Sequence, residues 1–531
     1  MPFGRAPSPG TGDVPDSEVA GVVHPVTSRS RARPRRRDRP GRVRGTSRLA
    51  LVSVVGVVTL GAAPTMAAYG LGAVPLVLVP AALFLVPAAL VVAELGSTWH
   101  GGVHAWVREG LGPRWGLAAG WLQWVQGVVR MPVLLASAAA SLALAVLDPG
   151  LASNGAYTGL MVVALFWAVT LAVSRRGALV GRWAAWAGLL GVVVPVALLT
   201  VLGLGWLATG ERSAVSFEAA QLVPPLTGAS SIVLVITGVL AFTGLEVGAA
   251  QVGGPQVGSP QAGGSQLGGA QVRGGGEPAR GLPRAVAAAA AAVVAALVLS
   301  SLAISVAVEE GDPGLTSVNL ALQRYLEHFG VAAAVPVVSA LLAVGAIGSV
   351  LVWAAGPSSA LAAAGREGLL PHPLQRSGRR GSPRAILLLQ GVVVTALAAL
   401  FALAPDTSTA IALVLATAFA LYLLMYMMMF AAALALRRTR PDVVRGFRAP
   451  ALPLVAGIGF LTSLVAFLAA FIPPTGTQVD IDAYAWTASA LVVAVGAPPF
   501  VLYALRRSSW DRRTPAERAR DARLALVRTS L

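Results

Sequence analysis

The sequence contains no cysteine and no lysine, and only 12% of its 531 residues are charged. Without cysteine it can form no disulfide, thiolate metal site or cysteine nucleophile. Soluble domains carry about a quarter charged residues, so this charge content excludes an ordinary soluble enzyme. With 56% hydrophobic residues and long uncharged runs, the sequence predicts an integral membrane protein.

The positive charge does not indicate a nucleic-acid partner. All 40 basic residues are arginines, and 23 acidic residues leave a net charge of +17. These arginines lie in short segments between apolar runs, whereas nucleic-acid binding requires a basic folded face with stacking aromatics. The five histidines lie in predicted tails and loops, and we interpret His100 and His104 as loop residues, with a pH-sensing pair as the alternative. We predict no cofactor, no metal site and no nucleic acid.

Apolar runs long enough to cross a bilayer define the fold. A hydrocarbon core of about 30 Å requires about 20 apolar residues per helix. No charged residue occurs between Arg48 and Glu94, which leaves room for two helices with a turn at Gly70, Gly72 and Pro75. We predict an all-α integral membrane protein with twelve transmembrane helices. These predicted spans, numbered 1 to 12, cover 49–71, 74–96, 115–147, 156–173, 186–209, 228–250, 284–308, 329–356, 385–404, 408–435, 450–472 and 484–505.

Arginine is distributed unevenly between the two sides of the predicted bundle. With the N-terminus inside, the outward connections contain only Arg212 and Arg324 as bases, while the inward connections contain nearly all the others. Short cytoplasmic loops are enriched in basic residues, so this alternation supports the span count. We predict a multi-pass protein of the cytoplasmic membrane with both termini in the cytoplasm.

Three segments lie outside the predicted helices. Residues 1–48 contain eleven arginines among Pro, Ser and Gly, which predicts a disordered cytoplasmic tail drawn to anionic membrane lipids. Residues 251–275 repeat a five-residue unit that starts with Gln, as in QVGGP and QAGGS, and they predict a low-complexity cytoplasmic loop. Residues 506–531 form a second Arg-rich cytoplasmic tail. The transporter domain would therefore be 49–505.

Two segments have the composition of interrupted membrane helices. A helix broken within the bilayer exposes free backbone N–H and C=O groups, and it persists only where it lines an enclosed cavity. Gly61, Ala62, Ala63, Pro64 and Thr65 form one such segment in span 1. Thr243, Gly244, Leu245 and Glu246 form the other in span 6. The two segments occupy equivalent positions in two sets of five helices, which predicts an inverted repeat.

Three ionisable residues lie in or near the spans. Arg130 is far from both ends of span 3, where an arginine costs at least about 2.5 kcal/mol, so it should face a cavity or a partner. It could bind a substrate carboxylate, or form a buried pair with Glu246 or with backbone carbonyls. Glu246 could bind an amine, carry a coupling proton or cap a half-helix. Glu94, at the inner end of span 2, is interpreted as a structural residue that contacts the adjoining loop.

Further side chains could wall a cavity between these spans. Gln123 and Gln126 lie near Arg130 in span 3. Interfacial anchoring or core packing explains most membrane aromatics, so a role in the cavity is the less common alternative for each aromatic. The aromatic candidates are Trp121, Trp124, Trp353, Tyr422 and Tyr426.

Five stretches carry a family resemblance. They are residues 64–129, which begin PTMAAYGLG and include AELGSTWHGG, and then FTGLEVGA (242–249), EPARGLPRA (277–285), AIGSVLVWAAGPSSALAAAGREGLLP (346–371) and ALYLLMYMMMFAAALALRRTRPDVVRGFRAP (420–450). In this order they resemble the amino acid–polyamine–organocation (APC) transporters, and most closely the glutamate/γ-aminobutyrate antiporter branch.

The resemblance implies an APC/LeuT-like fold with a five-plus-five inverted repeat, two extra helices, and helices 1 and 6 broken. It also implies secondary active transport by alternating access, with amino acids or their decarboxylated amines as substrates, moved by exchange or with protons. It implies no enzymatic activity. The substrate-binding residues that it implies are Gly61, Ala62, Ala63, Pro64, Thr65, Met66, Gln123, Gln126, Arg130, Thr243, Gly244, Leu245, Glu246, Ser349 and Trp353.

The sequence departs from the antiporter branch in span 1 and span 3. Ala62 and Ala63 stand where that branch has a polar or basic pair, Ala68 replaces an acidic residue, and Arg130 stands where aromatics are usual. One interpretation is that positive charge has moved from span 1 to span 3. The alternatives are a proton-coupled amino acid symporter, or a non-transporting amino acid sensor or degenerate permease.

Overall fold

The structure is a computed structural model. It describes residues 62–99, 101–211, 213, 215, 218–223, 237–248, 277–308, 317–378, 382–403, 408–473, 480–512 and 515. All of them belong to one unit of the chain, Gly41–Leu531. The predicted tail 1–48, the first part of span 1 with Gly61, the repeat 251–275 and nearly all of the C-terminal tail beyond residue 512 lie outside the described residues.

Throughout these ranges the ordered elements are helices, and no strand occurs among them. The apolar composition explains this, because a backbone in lipid must satisfy its own hydrogen bonds within each segment. The α-helices are Ala63–Ala67, Ala73–Pro80, Val86–Thr98, Gly102–Leu111, Pro113–Ala145, Pro149–Ala152, Gly155–Gly188, Val194–Ala208, Glu277–Ala307, Ser317–His328, Val335–Arg366, Arg384–Leu403, Ser408–Thr439, Leu452–Ala469, Ile481–Gly496 and Pro498–Ala504.

Nine helices in the described part of the chain are long and apolar enough to cross a membrane, so the protein is a multi-pass membrane protein. They are Gly70–Thr98, Pro113–Ala145, Gly155–Arg175, Val180–Ala208, Gly281–Ala307, Ala332–Arg366, Leu413–Thr439, Leu452–Ala469 and Ile481–Ala504. Two shorter apolar helices, Thr237–Gly248 and Arg384–Ala399, overlap spans 6 and 9. Together these helices overlap predicted spans 2 to 12, while the total of twelve and the inverted repeat stay predictions.

The connection between spans 4 and 5 differs from the prediction. The backbone remains α-helical from Gly155 to Gly188, although we expected the arginines near position 175 to lie in a loop. This segment contains no proline, so its backbone N–H groups can continue the helix. A π-helical turn, Leu189–Val193, follows, and Gly191 within it lies directly against Gly345 of span 8. A Cβ on Gly191 would lie 2.1 Å from the Gly345 nitrogen, so this crossing requires glycine.

The segment between spans 2 and 3 also differs from the prediction, because it forms the helix Gly102–Leu111 and not a loop. We call it the inner helix, and use inner for this side of the bundle, because the predicted topology places it on the cytoplasmic side. One face of the inner helix is buried, and His104 is only 1% exposed. The interpretation of His104 as a loop residue was therefore wrong. In VHAWVREGL the apolar residues recur at helical spacing, which is the signal for an amphipathic helix. The loop prediction overlooked this signal.

Span 3, Pro113–Ala145, lies at the centre of the described bundle. It packs against span 8, span 10 and the inner helix Gly102–Leu111. Because an α-helix presents side chains all round its axis, a central helix can place polar residues toward several neighbours at once. Gln123, Gln126 and Arg130 of span 3 are all buried. This central position lets span 3 contribute to a site between spans 6, 8 and 10.

Candidate functional site

Span 6 is interrupted at the predicted position. The chain is helical at 237–241, turns at 242–244 and is helical again at 245–248. Gly244 has φ of +114°, a conformation that favours glycine because it lacks a Cβ. The backbone N–H of Gly244 donates a hydrogen bond of 3.0 Å to the Tyr426 hydroxyl of span 10. The interruption therefore turns a backbone donor toward a side chain of another helix.

Glu246 lies two residues after this turn and is completely buried. Its carboxylate accepts hydrogen bonds from the hydroxyls of Tyr422 and Tyr426 in span 10. It also accepts a hydrogen bond of 3.2 Å from the amide nitrogen of Gln123 in span 3. A buried carboxylate is costly unless several donors satisfy its lone pairs, and these three neutral donors do so. Glu246 thus joins span 6 to spans 3 and 10.

Arg130 lies beside the same interruption and is 8% exposed. Its Nη1 is 3.5 Å from the hydroxyl oxygen of Thr243, the residue before Gly244. Its guanidinium carbon lies 5.2 Å from the centre of the Trp353 ring of span 8, within the range of a cation–π interaction. Arg130 therefore faces the protein interior at the level of the span 6 turn, and its guanidinium is oriented by a hydroxyl and by an aromatic face.

An aromatic wall surrounds these polar groups. Trp353 and Tyr422 have ring centres 5.9 Å apart, and Tyr422 and Tyr426 have ring centres 5.2 Å apart. Phe84 of span 2 packs edge-on against Tyr426 at 4.8 Å. All four side chains are buried. From the sequence we predicted the two tyrosines only as possible wall residues. Their spacing of four residues places them on one face of a helix, and this spacing was the sequence signal that they act together.

The remaining predicted binding residues are less closely connected to this cluster. Gly61 lies outside the described residues. Ala62 to Met66 belong to the short helix Ala63–Ala67 and its N-cap, which packs against span 7. Contrary to the prediction, the backbone of Ala63 to Met66 is therefore helical, and the turn comes after it, at Ala68 and Tyr69. Ser349 is buried in span 8, and its hydroxyl donates to the Gly345 carbonyl of its own helix at 3.3 Å. Gln126 is buried in span 3. The structure therefore joins Gln123, Arg130, Thr243, Gly244, Glu246 and Trp353, and Leu245 is buried within the same turn.

A second buried carboxylate, Glu94, lies at the inner end of span 2. It accepts two hydrogen bonds from the Arg437 guanidinium, at 2.9 and 2.6 Å, and one of 2.8 Å from the backbone N–H of Ala449. The Nε of Arg445 lies 3.0 Å from its Oε1. Arg437 ends span 10, and the other two residues follow it. Glu94 therefore makes structural contacts, as we expected, but with the loop after span 10 and not with the loop that follows it in the chain.

A third carboxylate, Glu367, lies just past the inner end of span 8. It pairs with Arg108 of the inner helix, and its Oε2 is 3.6 Å from the Nε2 of His104. The His104 Nδ1 lies 2.9 Å from the Gly116 carbonyl oxygen, to which it can donate. Burial would raise the pKa of Glu367, but the hydrogen bonds and charges of His104 and Arg108 outweigh burial and lower it to about 2. This cluster fastens the inner helix to span 8.

Within the described ranges, no three His, Asp or Glu side chains come together in an arrangement that could hold a metal ion. The polar groups of the interior cluster are instead one guanidinium, one carboxylate, hydroxyls, an amide and a backbone N–H. Such groups suit a zwitterionic or amphipathic organic molecule, because they offer charges of both signs beside aromatic surface.

The comparisons with known proteins agree with this chemistry. The amino acid permease family matches residues 45–495. An uncharacterized transporter of Legionella pneumophila is 30% identical over 442 residues, which is 80% of this chain and 89% of that protein. The glutamate/γ-aminobutyrate antiporter of Lactococcus lactis is 23% identical over 461 residues, which is 85% of this chain and 88% of that protein.

A polyamine transporter of Oryza sativa is 38% identical over 74 residues, only 13% of each chain. The family match covers most of the sequence, including spans 3, 6, 8 and 10, whose side chains meet around Glu246. Members of this family are transporters and not enzymes. The chain belongs to the amino acid permease family of the APC superfamily and is a transmembrane transport protein.

Proposed function

We propose that the protein is a secondary transporter that exchanges an amino acid for an amine across the cytoplasmic membrane by alternating access. The observation that carries this proposal is the placement of two opposite charges, Arg130 and Glu246, beside the interrupted turn of span 6. Charges in the membrane interior are costly and are typical of transport pathways. A free amino acid has one charge of each sign, which matches this pair.

The two charged residues would have separate roles. The planar guanidinium of Arg130 can bind a carboxylate through two parallel hydrogen bonds. Glu246 would bind the amino group of the substrate, because its described hydrogen-bond donors are neutral and supply no positive charge of their own. Backbone groups of the predicted span 1 segment, Gly61 to Met66, would add donors for the substrate carboxylate.

The aromatic side chains would form the walls of the same site. Trp353 orients the guanidinium of Arg130, and Tyr422 and Tyr426 hold the carboxylate of Glu246. The Tyr426 hydroxyl also occupies the Gly244 N–H, so a substrate that displaced this hydroxyl would gain a backbone donor. Gln123, Gln126, Thr243, Leu245 and Ser349 would complete the lining.

The exchange of glutamate for γ-aminobutyrate by the Lactococcus lactis relative supports an exchange of this type. The similarity to a polyamine transporter over one segment supports an amine as the second substrate. A proton-coupled symporter is the second candidate, because the buried Glu246 carboxylate is suited to carry a proton. A sensor that binds an amino acid without transporting it is the third.

Purified protein in proteoliposomes distinguishes these candidates. Vesicles loaded with γ-aminobutyrate, with another amine or with no substrate are exposed to labelled glutamate and to a panel of other amino acids. Exchange predicts uptake that depends on internal substrate. Symport predicts uptake into empty vesicles that depends on an imposed pH gradient. Binding by thermal shift without flux in any vesicle would identify a sensor, and neither binding nor flux over the panel would contradict the proposal.

The role of Arg130 is tested in the same vesicles. Arg130→Ala should abolish uptake while the protein remains folded, because the variant loses the carboxylate-binding group. Arg130→Lys should recover only part of the uptake, since an ammonium cannot bind a carboxylate with two parallel bonds. Arg438→Ala is the matched control, because Arg438 is exposed at the inner end of span 10. Normal uptake by the Arg130→Ala variant would refute the proposed role.

A further inference from the structure

A cavity of about 380 Å³ lies outside the transport site, at the inner ends of two spans. Ala89, Leu90 and Ala93 of span 2 form one wall. The opposite wall, at the start of span 7, consists of Pro283, Arg284, Val286 and Ala287. Phe447, in the loop after span 10, closes the end. The volume is that of a small-molecule site, and the lining is almost entirely apolar.

The rim of the cavity carries positive charge. Arg284 lines it and is exposed, and the exposed Arg448 follows directly after the lining residue Phe447. Neither arginine makes an ion pair or a hydrogen bond with any residue that the structure describes. Within the described part of the chain, both therefore present a positive charge without a paired carboxylate beside an apolar surface.

The local charge balance strengthens this point. Arg437 and Arg445, close to the cavity in the same segment, share the single carboxylate of Glu94. Burial lowers the pKa of Arg445, the charge of Glu94 opposes that change, and the charges of Arg437 and Arg448 lower it further. The described carboxylates therefore leave the arginines of this rim in excess, so an added anion would be stabilised there.

We infer that this cavity binds one anionic phospholipid of the inner leaflet, with an acyl chain in the apolar groove between spans 2 and 7 and the phosphate at Arg284 and Arg448. The charge complementarity selects an anionic headgroup, because a zwitterionic lipid would also bring a cation to the arginine rim. The apolar walls select a lipid over a free anion, because they offer no polar partner below the rim. This inference does not depend on the proposed transport activity.

Lipid binding to the full-length protein in detergent tests the inference. Native mass spectrometry and the melting temperature are measured with dioleoylphosphatidylglycerol, with dioleoylphosphatidylcholine and with inorganic phosphate. We expect the anionic lipid to bind and to raise the melting temperature more than the zwitterionic lipid does. Equal binding of the two lipids, or an equal rise with inorganic phosphate alone, would overturn the inference.

Two variants, each with a pair of substitutions, locate the site. The variant with Arg284→Gln and Arg448→Gln should weaken binding of the anionic lipid at least about tenfold, since each arginine near a membrane surface contributes about 1 kcal/mol. The variant with Arg438→Gln and Arg507→Gln is the matched control, because it removes the same charge from exposed arginines outside the cavity. An equal loss in both variants would overturn the assigned site.

The groove itself is tested separately. Ala287→Phe places a ring in the cavity from an exposed position, and Ala288→Phe adds the same ring at the next exposed residue of the same helix, outside the cavity lining. We expect only Ala287→Phe to reduce binding of phosphatidylglycerol. Unchanged binding in that variant would place the lipid elsewhere and overturn the inference.

Discussion

Two buried carboxylates, Glu246 in span 6 and Glu94 at the inner end of span 2, are held by different kinds of donors. Glu246 accepts hydrogen bonds from two tyrosines and a glutamine, all neutral. Glu94 accepts from the guanidinium of Arg437 and from a backbone N–H, with Arg445 beside it. Burial is almost the same, at 0% and 2% exposed.

The difference lies in what each carboxylate can still do. A carboxylate matched by arginines has little to gain from another cation, and it fastens the elements that supply those arginines. A carboxylate held by neutral dipoles receives no positive charge from those donors, so an ammonium group can still pair with it. The kind of donor, and not the burial, therefore distinguishes the carboxylate that we propose for transport from the one that fastens two elements.

The largest effect should follow a change at Glu246. Glu246→Gln keeps the shape of the side chain but removes its charge. Since hydrogen bonds to charged groups contribute up to about 3 kcal/mol, the change should lower amino acid uptake at least about 100-fold. The melting temperature should change little, because the shape of the side chain is kept. Uptake in proteoliposomes and thermal unfolding in detergent measure the two effects. Uptake close to that of the unchanged protein would contradict the proposed difference between the two carboxylates.

A change at Glu94 should give the opposite result. Glu94→Gln should destabilise the protein by about 3 kcal/mol, because it leaves Arg437 and Arg445 without their carboxylate. The apparent KM for substrate in the folded fraction should stay the same. Equilibrium unfolding in detergent measures the stability.

A double-mutant cycle sharpens this prediction. The variant with Glu94→Gln and Arg437→Gln should lose less stability than the sum of the two single losses, since the second change removes a charge that the first left unpaired. Additive losses would show that the two side chains do not act as a pair.

A smaller effect, visible only in acid, should come from Glu367 in the cluster on the inner helix. Because its folded pKa of about 2 lies below its ordinary value of 4.5, the stabilisation is complete above about pH 5 and is lost as the pH falls toward 2. The loss should amount to about 3 kcal/mol. Glu367→Gln should make the melting temperature less dependent on pH between pH 6 and pH 3.

Glu327→Gln is the matched control for Glu367, because Glu327 is exposed on the helix Ser317–His328. It should leave the acid dependence of the melting temperature as it is. The same acid dependence in the Glu367→Gln variant would show that other groups cause it.

The smallest effect should follow deletion of residues 251–275, the Gln-led repeat. The residues that contact Glu246 and Glu94 lie elsewhere in the chain, and the sequence predicts a loop for 251–275. Because loops tolerate deletion, uptake should stay within about twofold of the unchanged protein. Complete loss of uptake would show that the repeat takes part in the mechanism.

Several features of the fold were predictable from residue type alone. Long uncharged runs predicted helices that the structure places within a few residues of the expected bounds, as in Pro113–Ala145. The turn at Gly244 followed from Thr243-Gly244 in an apolar helix, because glycine adopts positive φ without a steric penalty. The burial of Arg130 followed from its distance to both ends of span 3.

Contacts between distant residues were not predictable in this way. Tyr422 and Tyr426 reach Glu246 only because spans 6 and 10 have the relative rotation and depth seen in the structure. Glu94 was expected to contact its own loop, yet it contacts Arg437, 343 residues later. No local pattern specifies such a pairing, because propensity and periodicity describe one helix at a time.

The sequence by itself determined that this chain is a membrane protein, where most of its apolar helices lie, where span 6 is interrupted and that Arg130 is internal. These properties follow from the cost of placing charge and unsatisfied backbone in lipid, which acts on each segment separately. Only the tertiary structure decided which donors surround each carboxylate. That choice depends on how whole helices rotate and slide against one another to satisfy packing and buried polar groups together, so it exists only once they are assembled.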